Sequence, residues 1–354
     1  AIVAQLASSC ENVACALRRF DFFRMKSIAA VLITAQAGSF AAGLNVRSAP
    51  AGKAKPSCQP FPDRLETYCP SDAWLDKMVQ SDPDGAGKVF MDVGCNTGTD
   101  AVDWLERWGT RPNVSASWHR TADARVGEGM CSERRRWWGG SPDASRPVPK
   151  ASSADPRVFC VEPMRGNLDV IRECSAKAFG RAEDPSFTVV KAAVGDRVGT
   201  ARFPDAAPGE QKASLADAGS SNKTVEVNVT TVDVLMSQYG LTSLDVLTVD
   251  TEGFDPSVLL GAERTLQVVR YLLFEVHQDL SNSPWADTSL LGLVQKLDSK
   301  GLDCYWAGNL GNLSRLTGCW AEEDERRHRP IPWNNVACVR RGDGWHAVLE
   351  GFVR

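Results

Sequence analysis

The sequence predicts an α/β fold: a doubly wound, mostly parallel sheet of seven strands with a terminal antiparallel hairpin. Three observations predict it. Short apolar strands alternate with amphipathic helices after Phe61, the pattern of a sheet covered on both faces. The first strand runs into a glycine turn and a helix, Val89-Phe-Met-Asp-Val-Gly-Cys-Asn-Thr-Gly-Thr-Asp100, an order that builds a nucleotide cradle. Three strands end in an acid, Asp92, Glu162 and Asp250, where sheets of this kind bind ligands.

Each element follows from its residues. The first strand spans 88–92, and Ala101, Leu105 and Trp108 share one face of the helix after it. From 109 to 156 Gly, Ser, Pro, Arg and Trp mix without periodicity, which reads as an inserted loop. Order resumes with the strand 158–162 and a helix carrying Leu168, Ile171 and Ala178 that stops at Gly180. A third strand covers 187–194. After it, 200–203 and 224–230 are expected to pair as an antiparallel ribbon around a polar excursion. A helix at 232–239 leads to the strand 244–250, a helix near 256–266 and the strand 269–276. Leu290, Leu293, Val294 and Leu297 mark another helix, ended by Gly301. Segments 303–306 and 335–339 supply the hairpin, within a Cys- and Trp-rich region from 300 to 354. Residues 1–60 read as a leader and linker, and 61–354 as one large domain.

Composition narrows the partners. A net charge of −4 over 354 residues, with no long basic run, disfavours nucleic acid. The densest basic cluster, Arg134-Arg135-Arg136 before Trp137-Trp138, reads as a solvated loop. Met25–Ala35 followed by Ser39-Phe-Ala41 resembles a secretory signal peptide, its apolar run too short for a membrane span. Asn-x-Ser/Thr acceptors at Asn113, Asn222, Asn228 and Asn312 agree with export. So do the 11 cysteines. Cys10 and Cys15 fall in the leader and Cys95 lies in the glycine turn. Cys58, Cys69, Cys131, Cys160, Cys174, Cys304, Cys319 and Cys338 are left to pair, with Cys160 and Cys174 equally readable as buried thiols. The expected location is the secretory lumen or outside the cell, with the cytoplasm as the alternative.

The motifs Asp-Val-Gly-Cys-Asn-Thr-Gly (92–98), Val-Glu-Pro (161–163), Ala-Ala-Val-Gly-Asp (192–196), Thr-Thr-Val-Asp (230–233), Val-Asp-Thr-Glu-Gly-Phe-Asp (249–255) and Phe-Glu-Val-His (274–277) occur in this order. Together they resemble an FkbM-type methyltransferase over about residues 87–280. The resemblance implies a class I, Rossmann-like fold, S-adenosylmethionine as methyl donor, and a hydroxyl acceptor on a glycan or small metabolite. The residues agree with it. Gly94 and Gly98 would let the backbone approach the donor. Asp92 and Asn96 could hold its charged ends, Glu162 its ribose hydroxyls, and Asp196 would lie near the adenine.

For the chemistry, Asp250 and Glu252 straddle the end of one strand and His277 leaves the next. His277 has the side chain best suited to neutral proton transfer. Either carboxylate could instead orient the acceptor hydroxyl. A divalent ion held by Asp250, Glu252 and neighbours is a further option, although the sequence assigns no metal ligands. Two departures from the family stand out: the insertion between Asp92 and Glu162, and Cys95 where Ala is usual. The alternatives are a methyltransferase fold kept as a binding module and a nicotinamide-dependent oxidoreductase. The latter is weakened because the turn lacks Gly-x-Gly-x-x-Gly spacing.

Overall fold

The computed structural model describes residues 58, 66–71, 73–127, 153–210, 213–215, 219, 223–277, 283–326 and 333–354. The leader, the Arg134–Trp138 cluster, Cys131, Asn222 and most of the insertion lie outside these described residues.

The main sheet has eight strands rather than seven, in the order β10-β9-β11-β8-β7-β1-β2-β3. Strands β1 (Val89–Val93), β2 (Arg157–Val161), β3 (Phe187–Val190), β7 (Leu244–Val249) and β8 (Val269–Val276) are parallel. Strands β9 (Leu302–Ala307), β10 (Leu313–Arg315) and β11 (Asn334–Arg340) extend it antiparallel. The two late strands do pair, Cys304 opposite Cys338, but they are not a hairpin. β10 takes the tight turn back from β9, and β11 enters between β8 and β9. A seven-strand count missed β10 because three residues, Leu-Ser-Arg, show no period.

The expected third strand is two. The chain leaves the main sheet at Lys191–Ala192, and β4 (Ala193–Val194) joins a second sheet of order β4-β6-β5. There β5 (Gly199–Pro204) and β6 (Thr224–Thr230) pair antiparallel as expected, with Thr200 opposite Asn228.

Alternation along β1 fills both faces of the main sheet. Val89, Met91 and Val93 pack with Leu247, Leu272 and Trp306 on one side. Phe90 packs with Trp104, Trp108, Trp118 and Tyr271 on the other. Such double burial is what a wound parallel sheet needs. The helices that cover it are α1 (Ala73–Ser81), α2 (Thr99–Trp108), α3 (Val114–Val126), α4 (Arg165–Phe179), α5 (Val232–Gln238), α6 (Asp255–Leu260), α7 (Leu290–Ser299), α8 (Glu322–Arg326) and α9 (Gly344–Glu350). Helix α3 lies inside the segment read as an aperiodic loop. It is anchored by fully buried Trp118, whose indole Nε1 donates to the Thr97 carbonyl at 2.9 Å. Its apolar residues are too few to show a stripe, so periodicity could not find it.

Helix α4 ends at Gly180, φ +71, as its sequence implies. Helix α6 is shorter than expected, and Thr265–Gln267 forms a separate 3-10 turn. Among the described residues, no helix is long and apolar enough to cross a membrane.

Three disulfides join described residues: Cys58–Cys319, Cys95–Cys160 and Cys304–Cys338. Cys69 is also disulfide-bonded. Cys95 is therefore not a bystander in the glycine turn and Cys160 is not a free thiol. Cys174 is, and burial pushes its thiol up to about 12.

Candidate active site

Strand order reverses between β1 and β7, the neighbours from which the sheet winds outward in both directions. Ligands of doubly wound sheets bind beyond the carboxyl ends at such a point. The predicted site residues meet there. The Gly94 amide donates to the Val161 carbonyl at 3.0 Å, and the Asp250 amide to the Val93 carbonyl at 2.9 Å. The glycine turn is thus held between the ends of β2 and β7.

Gly94 is required within the protein itself. Its φ is +85°, and a Cβ there would stand 1.7 Å from the Asp250 carbonyl oxygen. At Gly98, φ +78, a Cβ would meet the Trp118 ring at 3.0 Å and Cys160 Sγ at 3.4 Å. Both glycines therefore serve chain packing, whatever ligand the turn meets. The Cys95–Cys160 bond fixes the same turn to β2, two residues before Glu162.

Asp92 is 5% exposed, and Thr248 Oγ1 donates to its Oδ1 at 2.6 Å. Its Oδ2 is buried without a partner. Burial, with the charges of Asp100, Asp250 and Glu162 nearby, pushes this carboxyl up to about 8. Glu162 is 4% exposed, and burial raises it to about 7 against donors from the Met164 amide, the Asn167 side chain and the Asn96 backbone. A carboxylate offers about four lone-pair sites, so three of Glu162's are already engaged inside the chain.

Asn96 has a left-handed backbone, φ +49. Its Nδ2 donates to the Glu210 carbonyl at 3.4 Å, and the Gly209 amide donates to Asn167 Oδ1 at 2.8 Å. The turn at 207–210, part of the polar excursion, is thereby tied to residues beside Glu162. Asp196 lies exposed after β4, with its side chain 3.6 Å from Arg197, beyond the point where the chain leaves the main sheet for the small one.

The second half of the site stands at the ends of β7 and β8. His277 Nε2 is 2.5 Å from Glu275 Oε2 and 3.8 Å from Glu252 Oε2. Glu275 also hydrogen-bonds Asp250. Asp250 is accessible to water yet crowded by protein, as at the mouth of a cleft, and burial raises its carboxyl. Burial and the charges of Asp250, Glu252 and Asp255 push Glu275 well above the usual carboxylate range. Burial lowers His277 to about 4. The imidazole is therefore neutral at pH 7 and a weak base.

Glu252 is set by its turn. It has φ +51, and Asp255, fully buried, accepts from the amides of Thr251 at 3.3 Å and Gly253 at 3.2 Å. Asp255, not Glu252, opens helix α6.

The reading of residues placed Glu275 just before the end of its strand but gave it no role, and it missed Asp255 and Asn167 as members of the site. For Glu275 a signal was present. In Phe-Glu-Val-His the acid and His277 are two apart on a strand, so they share a face. Asn167 carries no such signal, because its role depends on where the 207–210 turn lands.

Residues 140–301 match the family described as Methyltransferase FkbM domain. That match begins after the glycine turn and includes Glu162, Asp250, Glu252 and His277. A solved structure of methyltransferase FkbM from Methylobacillus flagellatus KT is 14% identical, with a TM-score of 0.37. The similarity covers 71% of this chain and 43% of that one, so the chain spans less than half the length of that relative. Among curated proteins none matches.

Proposed function

We propose that this chain, whose residues 140–301 match the methyltransferase FkbM domain family, is an S-adenosylmethionine-dependent O-methyltransferase. The acceptor class is a hydroxyl of a glycan or small hydroxylated metabolite. One observation supports this above all: the cradle of Asp92, Gly94, Asn96 and Glu162 abuts the cluster of Asp250, Glu252, Glu275 and His277. They meet at the reversal of strand order, where Gly94 packs on the Asp250 carbonyl.

The residues fit the donor. Asp92 Oδ2 is buried without a partner; a ligand hydroxyl oxygen could accept the proton this carboxyl holds, or a ligand ammonium could displace that proton and donate to the carboxylate. Glu162 retains lone-pair capacity for a ribose hydroxyl. When bound, S-adenosylmethionine supplies an electrophilic methyl group on a sulfonium. The chain must then orient an acceptor oxygen and take its proton. The group of Asp250, Glu252 and His277 supplies both tasks, with Glu275 holding the His277 ring through Nε2. The new bond is oxygen to methyl carbon, the broken bond is that carbon to sulfur, and the hydroxyl proton passes to this group.

Calorimetry with S-adenosylmethionine and with NAD tests the reading. The first should bind one molecule per chain and the second should not. Asp92→Asn should weaken donor binding by about tenfold to a hundredfold, as expected for a hydrogen bond to a charged group. Labelled methyl from the donor should appear on a hydroxyl in fractionated glycans or metabolites. Absence of donor binding by the folded protein would overturn the proposal.

A further inference from the structure

We propose that Glu252, Glu275 and His277 form a binding site for a first-row divalent cation, of the kind manganese(II) represents. One ligand atom from each of the three lies within 4.8 Å of the others. The set mixes carboxylate oxygen with imidazole nitrogen. That mixture suits first-row divalent ions that accept imidazole better than calcium or magnesium, which prefer oxygen, and manganese(II) serves as their paramagnetic probe.

Charge balance points the same way independently. Asp92, Gly94, Asp250 and Glu275 stand on one sheet face: Asp92, Thr248 and Leu273 share a row, and two residues on come Gly94, Asp250 and Glu275. The side chains of Glu275 and His277 are 10% and 6% exposed. Asp250 and Asp255 add further acid beside them. No Lys or Arg among the described residues forms an ion pair with Asp250, Asp255 or Glu275, and Asp92 Oδ2 on the same face has no partner.

The opposite ends of these strands show how the fold treats acids elsewhere. There Arg270 binds Asp82, Asp245 and Asp343 at 3.0, 2.8 and 2.7 Å. Buried carboxylates without a countercharge are costly. A divalent ion removes that cost and gives the imidazole lone pair a partner.

The site deepens the methyl-transfer reading and rests on it for its chemical meaning. A hydroxyl reaching such an ion is acidified. The proton then leaves to Asp250, the acid of the cluster that opens to water. His277 then serves as a ligand rather than as the base.

The experiment is manganese(II) titration of the intact, chelator-stripped protein. The signal of free manganese(II) is followed by electron paramagnetic resonance, and thermal melts are run in parallel. One ion per chain should bind and raise the melting temperature. Glu275→Gln, Glu252→Gln and His277→Ala should each weaken binding at least tenfold. Glu275→Gln is nearly isosteric, so its metal-free form should melt close to the wild type while losing the manganese(II) stabilisation. Either no binding to the folded wild type, or full binding by Glu275→Gln and His277→Ala, would overturn the site. Donor calorimetry on the stripped protein separates the outcomes: S-adenosylmethionine binding without manganese(II) binding refutes the metal site alone.

Discussion

At Asp92 the physics of burial and the proposed contact with the methyl donor meet in one side chain. The carboxyl is held up to about 8, first by burial, with Asp100, Asp250 and Glu162 adding repulsion and Thr248 donating to it. The folded protein therefore binds a proton there that the unfolded chain releases near 4. Stability from this group is complete below that value and declines as pH rises through about 8, by about 1.4 kcal/mol per pH unit. Glu162, held up to about 7, acts in the same direction. The donor-free protein should thus lose stability between pH 5 and 8 in urea titrations, and Asp92→Asn should flatten the slope. A slope unchanged in Asp92→Asn would refute this account. Much of this residue scale was legible beforehand: Asp92, Glu162, Asp250 and His277 were all named from strand-end position. Partners such as Thr248 and Asn167 were not, because they come from register and loop docking that no local pattern encodes.

Among elements, the β1–α2 turn shows how far a sequence pattern reaches. Its strand, glycines and helix were readable to within a residue, since hydrophobic period and glycine position act locally. The Cys95–Cys160 bond was not, because pairing depends on β2 lying beside β1. The bond closes a separation of 65 residues, for which chain-entropy reasoning gives about 4 kcal/mol. Cys160→Ser should lower unfolding free energy by that order, and a non-reducing peptide map of the wild type should contain the linked pair. A map with both thiols free would remove this element from the account. Helices α1, α3 and α9 escaped a reading by period for a shared reason. They are short or weakly striped and owe their place to single large side chains such as Trp74, Trp118 and Trp345.

For the whole molecule, the two poles of the sheet differ in electrostatic character. Arg270 joins the end of α1, the starts of β7 and β8, and the start of α9 through its three acids, and its guanidinium lies 3.8 Å over the Trp345 ring. Lysine lacks the planar fork for this arrangement. Arg270→Met should therefore cost about 3 kcal/mol or more in denaturant unfolding, and Arg270→Lys should recover little of it. Equal stability of all three proteins would show that the pole is held by packing alone. The doubly wound, mostly parallel architecture was predictable from alternation of strands and helices, but the reversal point between β1 and β7 was not, because strand order is set by tertiary pairing. The eighth strand was not, because β10 is defined by its neighbour rather than by its own residues.

Strand β11 has a consequence for biogenesis. It enters between β8 and β9 and sets Asn335 opposite Glu275, although the ribosome makes it after every other described strand of that sheet. Until then β8 has a bare edge, and the strand that presents Glu275 and leads into His277 is supported from one side only. A nascent chain stalled before Asn334 should consequently be open to proteolysis and to pairing with other unfinished chains. The rim that carries Glu275 and His277 is completed only when translation delivers β11.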